Sequence, residues 1–358
     1  MGQAPAGPDY RFIGALFDGP LDIVGDVHGE IDALDDLLAV LGYDAAGAHP
    51  QGRRLVFVGD LTDRGPDSIA VVEKVAALVR EGRAQCIAGN HELNLLRNAR
   101  KEGNGWFMPV DHDREQGKFH ACSAASAEQR QRFECFFAAL PLALERPDLR
   151  VVHACWDEAS IRALRETPLR GIVAAFDGFA EQSRERLLAT GMFEQAARER
   201  RDHAAQLADP HASVPLLEGI AAVDEAKQLS NPVRVVTSGI ERRTAQPFFA
   251  GGKWRMVERV HWWREYTDTV PVIFGHYWRR PAALPSQGRA HGGPDLFEGT
   301  RINDWLGPAA TAYCVDFSVG RRFLERAQGR GGTGTRLGAV RWPERQLRLD
   351  SGEAYALA

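Results

Sequence analysis

Short apolar runs alternate with polar, glycine-rich segments along the N-terminal half of the chain. The mainly apolar runs lie at residues 21–24, 55–58 and 85–88. Segments with helical periodicity follow them at residues 30–41, at 67–80 and from Glu92 onward. Buried parallel strands are near-continuous apolar runs, whereas a repeat of 3.6 residues is typical of an amphipathic helix. The alternation therefore predicts a parallel sheet with right-handed helical crossovers.

The rest of the chain adds strands and a segment of different composition. Further runs that predict strands lie at 149–152, 270–274, 311–318, 338–342 and 346–349. Between the first two, residues 181–207 are rich in Arg, Glu, Ala and Gln with apolar residues at helical spacing. We therefore expect residues 1–155 and 231–358 to form one domain, with residues 156–230 inserted as a mostly helical cap.

Polar motifs stand where five of the predicted strands end. They are GDVHG at 25–29, GDLTDRG at 59–65, GNHE at 89–92, His153 within VVHA, and GH at 275–276. Ligands of open α/β sheets bind beyond the carboxyl ends of the strands, so these side chains are expected to converge. Carboxylate, amide and imidazole groups together suit borderline divalent metals. Their number exceeds what one ion needs, and two ions about 3.5–4 Å apart that share a carboxylate account for the excess.

Each motif also has a plain structural interpretation. A single Asp or Asn at a strand end commonly bonds its own backbone in a turn. His153 and His276 could be core histidines, and Asp63 and Arg64 could form a structural ion pair. The complete set in its order favours the metal site.

The motifs in this order resemble those of the calcineurin-like metallophosphoesterase superfamily. The Asp-Arg-Gly ending of GDLTDRG is similar to the branch that holds the Ser/Thr phosphoprotein phosphatases and the symmetrical diadenosine tetraphosphate hydrolases. The resemblance covers the motif-bearing parts of about 20–155 and 270–320. It implies an α/β fold, a four-layer αββα sandwich of two mixed sheets flanked by helices, here with a helical cap insertion.

The resemblance also implies a dinuclear metal centre. The expected cofactors are two divalent metal ions, Mn, Fe or Zn, with Mn the ion expected in vitro. The implied ligands are Asp26 and His28 for the first ion, Asp60 as the bridge, and Asn90, His153 and His276 for the second. A metal-bridging hydroxide would attack phosphorus in line, because the metals lower its pKa.

Further residues are implied in catalysis and support. Arg64 would hold two phosphate oxygens through its planar fork. His91, oriented by Asp63, would protonate the leaving oxygen as general acid. Glu92 is expected to bind a neighbouring backbone segment or an arginine. Asp316 is expected to accept a hydrogen bond from a ligand histidine.

Candidate contacts to the rest of the substrate lie in a Gly-rich, basic and aromatic stretch at residues 239–255. We take Lys253, Trp254 and Arg255 as these contacts, in addition to Arg64. The alternative is a packed loop and hairpin, and it is favoured because Trp and Phe are mostly packing residues.

The leading functional hypothesis is a hydrolase of phosphomonoesters that resembles the phosphoprotein phosphatases. Its partner would be a phosphorylated substrate, either a phosphoprotein or a small phosphate ester or nucleotide. A symmetrical diadenosine tetraphosphate hydrolase is the alternative, because Ala154 follows His153 where the eukaryotic phosphatases usually carry Gly-Gly. A metal-binding regulatory scaffold without turnover is the third hypothesis. The complete set of motif residues argues against it.

Composition indicates which binding partners and which cellular compartment to expect. The 358 residues carry 44 basic and 48 acidic side chains, a net charge of −4, so no nucleic-acid partner is expected. No apolar run approaches the ~20 residues that span a membrane, and the N-terminus lacks the basic and apolar regions of a signal peptide. Five widely spaced cysteines without a CxxC pair fit a reducing compartment, so we expect a cytoplasmic protein.

Overall fold

Two mixed β-sheets form the centre of the molecule. The computed structural model describes residues 10–115, 118–119, 123–281, 295–329 and 334–358. The strands of these ranges are β1 (Ile13–Ala15), β2 (Leu21–Val24), β3 (Arg54–Phe57), β4 (Ala84–Cys86), β5 (Ala143–Arg146), β6 (Leu149–Val152), β7 (Glu241–Ala250), β8 (Lys253–Arg259), β9 (Val272–Phe274), β10 (Ala312–Cys314), β11 (Gly338–Trp342), β12 (Gln346–Leu349) and β13 (Ala354–Ala356). The first sheet has the order β1-β5-β6-β9-β10 and the second β13-β12-β11-β2-β3-β4, while β7 and β8 form a separate hairpin.

The strands that precede the polar motifs are neighbours in these sheets. In the second sheet β2, β3 and β4 run parallel, so their carboxyl ends lie at one edge. In the first sheet β6 and β9 also run parallel. Strand β11 pairs antiparallel with β2 and makes the second sheet mixed. In each sheet, the motif residues therefore lie side by side at the carboxyl ends of the parallel strands.

A buried apolar layer joins the two sheets. Leu21 and Ile23 of β2 belong to one cluster with Val151 of β6 and Ile273 of β9. Val24 belongs instead to the larger cluster that contains helix residues. Because strand side chains alternate between faces, one short run supplies both layers.

Helices flank the sheets, which confirms the fold class predicted from the sequence. In the described ranges they are α1 (Ile31–Leu41), α2 (Ser68–Arg80), α3 (Asn90–Leu96), α4 (Pro109–Glu115), α5 (Ala127–Ala139), α6 (Glu158–Glu166), α7 (Ile172–Ala189), α8 (Met192–Asp202), α9 (Ala204–Ala208), α10 (Glu218–Leu229), α11 (Pro232–Ser238) and α12 (Arg322–Ala327). Capping side chains mark the starts of α2, α5, α6 and α11. Oδ1 of Asp67, for example, accepts a hydrogen bond of 2.8 Å from the amide of Ala70 at the start of α2.

The helices between β6 and β7 divide between two cores. Ile161 of α6 and Phe176 of α7 belong to the main core. Leu187, Val223 and Met256 belong to a separate small core that joins α7, α10 and β8. A cap with the boundaries 156–230 stays a prediction, since the start of this segment packs with the main domain.

Residues 181–207, predicted as one helical stretch, form parts of α7, α8 and α9. Gly191, with φ of +68°, separates α7 from α8, and His203 separates α8 from α9. Glycine adopts this left-handed conformation at little cost, so it ends the longer helix.

The described residues include no helix that combines the length and apolar content of a membrane span. Cys86, Cys135, Cys155 and Cys314 have free thiols, and Cys122 lies outside the described residues. The cytoplasmic location stays a prediction.

Candidate dinuclear metal centre

Side chains from both sheets meet at the carboxyl ends of five strands. The predicted ligands that meet there are Asp26, His28, Asp60, Asn90, His153 and His276. The three histidines and two aspartates are buried. The residues that sequence reasoning took from separate motifs thus form one cluster.

Asp60 lies at the centre of this cluster. Its Oδ2 is 3.8 Å from Nε2 of His28 and 3.4 Å from Nε2 of His153. Ligand atoms of His28, Asp60 and His91 lie within 4.8 Å of one another, and so do those of Asp60, His153 and His276. Asp60 is common to both groups, as the bridging residue of a two-ion site would be.

His28 and His153 present the same nitrogen to Asp60. Nδ1 of His28 donates to the carbonyl of Thr62 at 2.9 Å, and Nδ1 of His153 donates to the carbonyl of Val58 at 2.7 Å. A backbone carbonyl that takes the Nδ1 proton leaves Nε2 with its lone pair. Both imidazoles are therefore oriented as metal ligands.

His276 supplies a nitrogen without a partner. Its Nε2 is buried and accepts no hydrogen bond within the described ranges. Its backbone amide donates to Oδ2 of Asp26 at 3.0 Å, which joins the two predicted ligands. A buried lone pair without a partner is costly, and a cation at this nitrogen would satisfy it.

Negative charge is concentrated at the site. Burial, and next the charge of Asp316, raise the pKa of Asp26 well above its usual range. Burial raises the pKa of Asp316 to about 6. Burial and the Arg64 guanidinium lower the pKa of His28 and keep it neutral. Burial opposes protonation of His153, but the charge of Asp60 raises the pKa of His153 to about 10. A divalent cation beside Asp60 would take the place of the proton on His153. Imidazoles beside crowded carboxylates are the donor set that such cations need, so the residues fit two metal ions.

Gly89 and Gly275 leave the space that the carboxylates occupy. A Cβ on Gly89 would lie 2.2 Å from Oδ1 of Asp60, and a Cβ on Gly275 would lie 2.0 Å from Oδ1 of Asp26. Any side chain at either position would displace a predicted ligand. This steric limit explains the glycines of the GNHE and GH motifs.

Glu92 joins two of the motif loops. Its Oε2 accepts hydrogen bonds of 2.9 Å from the amides of Gly89 and Asp60, and its Oε1 accepts one of 2.9 Å from the amide of Leu61. The expected contact of Glu92 with a neighbouring backbone segment is confirmed. Three bonds to one buried carboxylate fix the loop that carries the bridging aspartate.

His91 is oriented by Asp63. Its Nδ1 lies 2.5 Å from Oδ2 of Asp63, and Nε1 of Trp106 donates to the other carboxylate oxygen at 2.7 Å. Sequence reasoning missed Trp106, because nothing in its polar, Gly-rich loop indicates which side chain returns to the site. Nε2 of His91 is 3.8 Å from Asp60, so distance alone admits His91 as a ligand, and its role as general acid stays a prediction.

Arg64 reaches across the cluster. Its Nη1 donates to Nε2 of His28 at 3.2 Å and its Nη2 donates to Nε2 of His91 at 3.0 Å. The guanidinium carbon lies 5.1 Å from the ring centroid of Trp278. Within the described ranges no ion pair joins Arg64 to Asp63, so a simple structural pair does not account for this motif.

The hairpin strand β8 reaches the site at its end and not at its start. Nη1 of Arg259 donates to the carbonyl of His276 at 3.4 Å. Burial, and next the charge of Arg259, lower the pKa of His276. Sequence reasoning missed Arg259; its position shortly before the last ligand strand was the available signal.

The predicted substrate contacts lie at the other end of that strand. Nε1 of Trp254 donates to the carbonyl of Asp209 at 3.0 Å, and Nε of Arg255 donates to the carbonyl of Ala250 at 3.1 Å. At ~3.3 Å per residue, Lys253 is roughly 20 Å along the strand from its far end. The hairpin alternative is confirmed, and substrate contact by Lys253, Trp254 and Arg255 stays a prediction.

Asp316 contacts backbone and not a ligand histidine, so that expectation is wrong. Its Oδ2 accepts from the amide of Trp278 and its Oδ1 from the amide of Ser318, each at 2.8 Å. The carboxylate thereby ties the turn after His276 to the turn after β10.

The motif-bearing part of the chain matches known proteins. Residues 19–166 match the family model of the calcineurin-like phosphoesterases. A bis(5'-nucleosyl)-tetraphosphatase PrpE [asymmetrical] of Oceanobacillus iheyensis is 50% identical over 80 residues, which are 22% of this chain and 32% of that protein. The protein of the same name from a Geobacillus species is 36% identical over 142 residues, 37% of this chain and 56% of that protein.

The matched relatives are covered over only part of their own length, and solved structures that align with more of this chain have low sequence identity. The chain spans between about a third and just over half of the curated relatives described above. A solved structure of a cold-active protein-tyrosine phosphatase from a Shewanella species aligns with 99% of this chain and 83% of its own, at 16% identity and a TM-score of 0.46.

Proposed function

We propose that this chain, whose residues 19–166 match the calcineurin-like phosphoesterase family model, hydrolyses phosphate esters with the help of two divalent metal ions. The observation that carries the proposal is the position of Asp60, which is shared by two groups of potential ligands. Arg64 lies against one of these groups, at 3.2 Å from His28. A shared carboxylate beside a guanidinium is suited to phosphoryl transfer.

The metal ions would supply Lewis-acid polarisation of the phosphoryl oxygens and a water of lowered pKa. Arg64 would bind two of the remaining phosphate oxygens. Its present acceptors are two imidazole nitrogens, at 3.2 and 3.0 Å. Anionic oxygens are stronger acceptors for a planar guanidinium, so a bound phosphate would replace the imidazoles.

His91 would act as the general acid. Asp63 holds its Nδ1 at 2.5 Å, which leaves Nε2 directed to the space beside Nη2 of Arg64. A proton on Nε2 would pass to the leaving oxygen, and the carboxylate of Asp63 would stabilise the imidazolium before the transfer. No residue of the chain forms a covalent intermediate in this scheme.

The proposed substrates are phosphomonoesters. Dinucleoside tetraphosphates are the second candidate, and the names of the relatives that match residues of this region favour them. Those relatives are named asymmetrical, whereas the sequence suggested a symmetrical enzyme. Arg259 adds a positive charge at the His276 side of the site, where either type of substrate would offer an anionic group.

A panel of substrates tests both candidates with one preparation. The protein loaded with Mn²⁺ is assayed on a phosphopeptide, p-nitrophenyl phosphate, its bis-ester and diadenosine tetraphosphate, with bound metal measured in parallel. Hydrolysis of the two monoesters supports the first candidate, and hydrolysis of the tetraphosphate alone replaces it with the second. The products then separate symmetrical from asymmetrical cleavage.

Asp60→Asn serves as the inactive control, because it removes one charge from the shared ligand and keeps the shape of the side chain. If the wild type binds metal but hydrolyses no compound in the panel, the enzyme hypothesis is refuted. The hypothesis of a metal-binding scaffold without turnover would then remain.

A further inference from the structure

Arg321 lies beside the proposed active site although it belongs to no motif. It ends the 3-10 turn Val319–Arg321, which follows β10. A Cβ built on the preceding residue, Gly320, would lie 2.2 Å from Cδ2 of His28. The turn is therefore in direct contact with His28, a predicted ligand of the first ion. Arg321 is the next residue along the chain after this contact.

The position of this turn is fixed by Asp316. Its two oxygens accept from the amides of Trp278 and Ser318, each at 2.8 Å, and the amide of Arg321 donates to the carbonyl of Ser318 at 2.8 Å. One buried carboxylate thus holds Trp278 and the turn of Arg321 in a common position.

The indole ring of Trp278 contacts two guanidinium groups. The guanidinium carbon of Arg64 is 5.1 Å and that of Arg321 is 5.8 Å from the Trp278 ring centroid. Both distances are in the range of cation–π contacts, which restrain arginines without neutralising them. Arg64 and Arg321 therefore present positive charge to the same region.

The charge of Arg321 is not balanced by a bonded acid. No ion pair or side-chain hydrogen bond of Arg321 or Arg280 occurs within the described ranges, whereas the adjacent Arg279 is buried and donates to the carbonyls of Arg301 and Asp304. Burial, and next the charge of Arg280, lower the pKa of the half-buried Arg321. The charge of Glu325 acts in the opposite direction on the pKa of Arg321. The two Glu325 oxygens, however, accept from the amide of Gly334 and the hydroxyl of Thr335 and not from this guanidinium. Cations that lie near one another without a bonded acid are stabilised by an anion that binds between them.

We propose that Arg321, assisted by Arg280, binds a second phosphate group of the substrate, next to the phosphate held by Arg64. This anion subsite would favour compounds with phosphoanhydride-linked phosphates over esters with one phosphate. The inference rests on the proposed function for its reacting phosphate. It adds a residue that determines specificity and does not take part in the bond-breaking step.

The test compares two substrates in two variants. Arg321→Met keeps the length of the side chain and removes its charge, and Arg184→Met is the control, because Arg184 is an exposed residue of α7 that pairs with Glu181. We expect Arg321→Met to lower kcat/KM for diadenosine tetraphosphate about ten- to hundredfold, the range of a bond to a charged group. For p-nitrophenyl phosphate we expect kcat/KM to change less than about threefold. In the control variant we expect no difference between the changes in kcat/KM for the two substrates.

Equal losses on both substrates would overturn the subsite. Arg321→Lys, which keeps the charge, should restore part of the lost selectivity, and unchanged thermal unfolding excludes misfolding as the cause.

If the wild type hydrolyses neither of these two substrates, the subsite is tested by binding; the proposed function fails only if the phosphopeptide and the bis-ester are not hydrolysed either. Calorimetry with pyrophosphate and with inorganic phosphate, at Mn²⁺ in excess over both, should then show a weaker pyrophosphate Kd for Arg321→Met and an unchanged phosphate Kd. Equal Kd values for wild type and variant with pyrophosphate would refute the inference.

Discussion

The imidazole of His91 is bound to the carboxylate of Asp63, with 2.5 Å between Nδ1 and Oδ2. Trp106 holds the other oxygen of that carboxylate at 2.7 Å. The orientation of one catalytic candidate therefore depends on two residues from other segments of the chain, and this arrangement leads to the first prediction.

His91→Asn should slow the hydrolysis of an alkyl phosphate about 10²- to 10⁴-fold, the usual contribution of a general acid. The effect on p-nitrophenyl phosphate should be much smaller, because p-nitrophenolate leaves without a proton. The rates of both reactions and the bound metal are measured, with the exposed His211→Asn as control. A large loss of metal in His91→Asn would instead make His91 a ligand.

Metal binding should stabilise the fold through His276, whose Nε2 is buried without a partner in the described part. At a free Mn²⁺ concentration of 100 times Kd, one site adds about 2.7 kcal/mol to the free energy of unfolding. Thermal unfolding with and without Mn²⁺ measures this gain, together with the number of bound ions. His276→Ala should lose one ion and part of the gain, whereas His211→Ala should keep both. Full metal content in His276→Ala would contradict the assignment.

Glu92→Gln should weaken metal binding although Glu92 is not a predicted ligand. The amide nitrogen of glutamine cannot accept the hydrogen bonds that both oxygens of Glu92 now accept. The loop of Asp60 would lose part of its support, and we expect metal affinity to fall about 10–100-fold. Titration with Mn²⁺ measures this, and the exposed Glu73→Gln is the matched control. Equal affinities in the two variants would show that the loop holds its position without Glu92.

Asp22→Asn should destabilise the protein through a buried cluster that lies outside the candidate metal centre. This buried carboxylate accepts from Nε of Arg53 and Nε of Arg341, each at 3.0 Å, and from the hydroxyl of Tyr43 at 2.9 Å. Removing one partner of a buried ion pair costs about 3–5 kcal/mol, because the other charge stays buried. Urea unfolding measures the change.

Asp35→Asn is the control for this prediction, since Asp35 forms an exposed pair with Lys74 and exposed pairs contribute only about 0–1 kcal/mol. If Asp22→Asn unfolds at the same urea concentration as this control, the buried cluster contributes nothing to stability.

Local sequence determined the parts of the fold that depend on a continuous stretch of chain. The run 21–24 was predicted as a strand and forms β2, and the helix predicted at 67–80 forms α2 with Asp67 as its cap. Hydrophobic periodicity and capping act over a few residues, so they can be recognised in the sequence without knowledge of the tertiary structure. The strand-end motifs likewise identified the residues that meet at Asp60, because parallel strands end at a common edge.

Only the tertiary structure decided which distant side chains reach that edge. Trp106 and Arg321 contact the site from a loop and a short turn that carry no periodic pattern. Asp316 and Lys253 were expected near it, yet one binds backbone amides and the other begins a strand whose far end reaches His276. Sequence by itself determined the chemistry of the predicted ligands, because residue types and their order define it. The surroundings of the proposed phosphate position were decided by packing between segments far apart in the chain, and no local pattern encodes that packing.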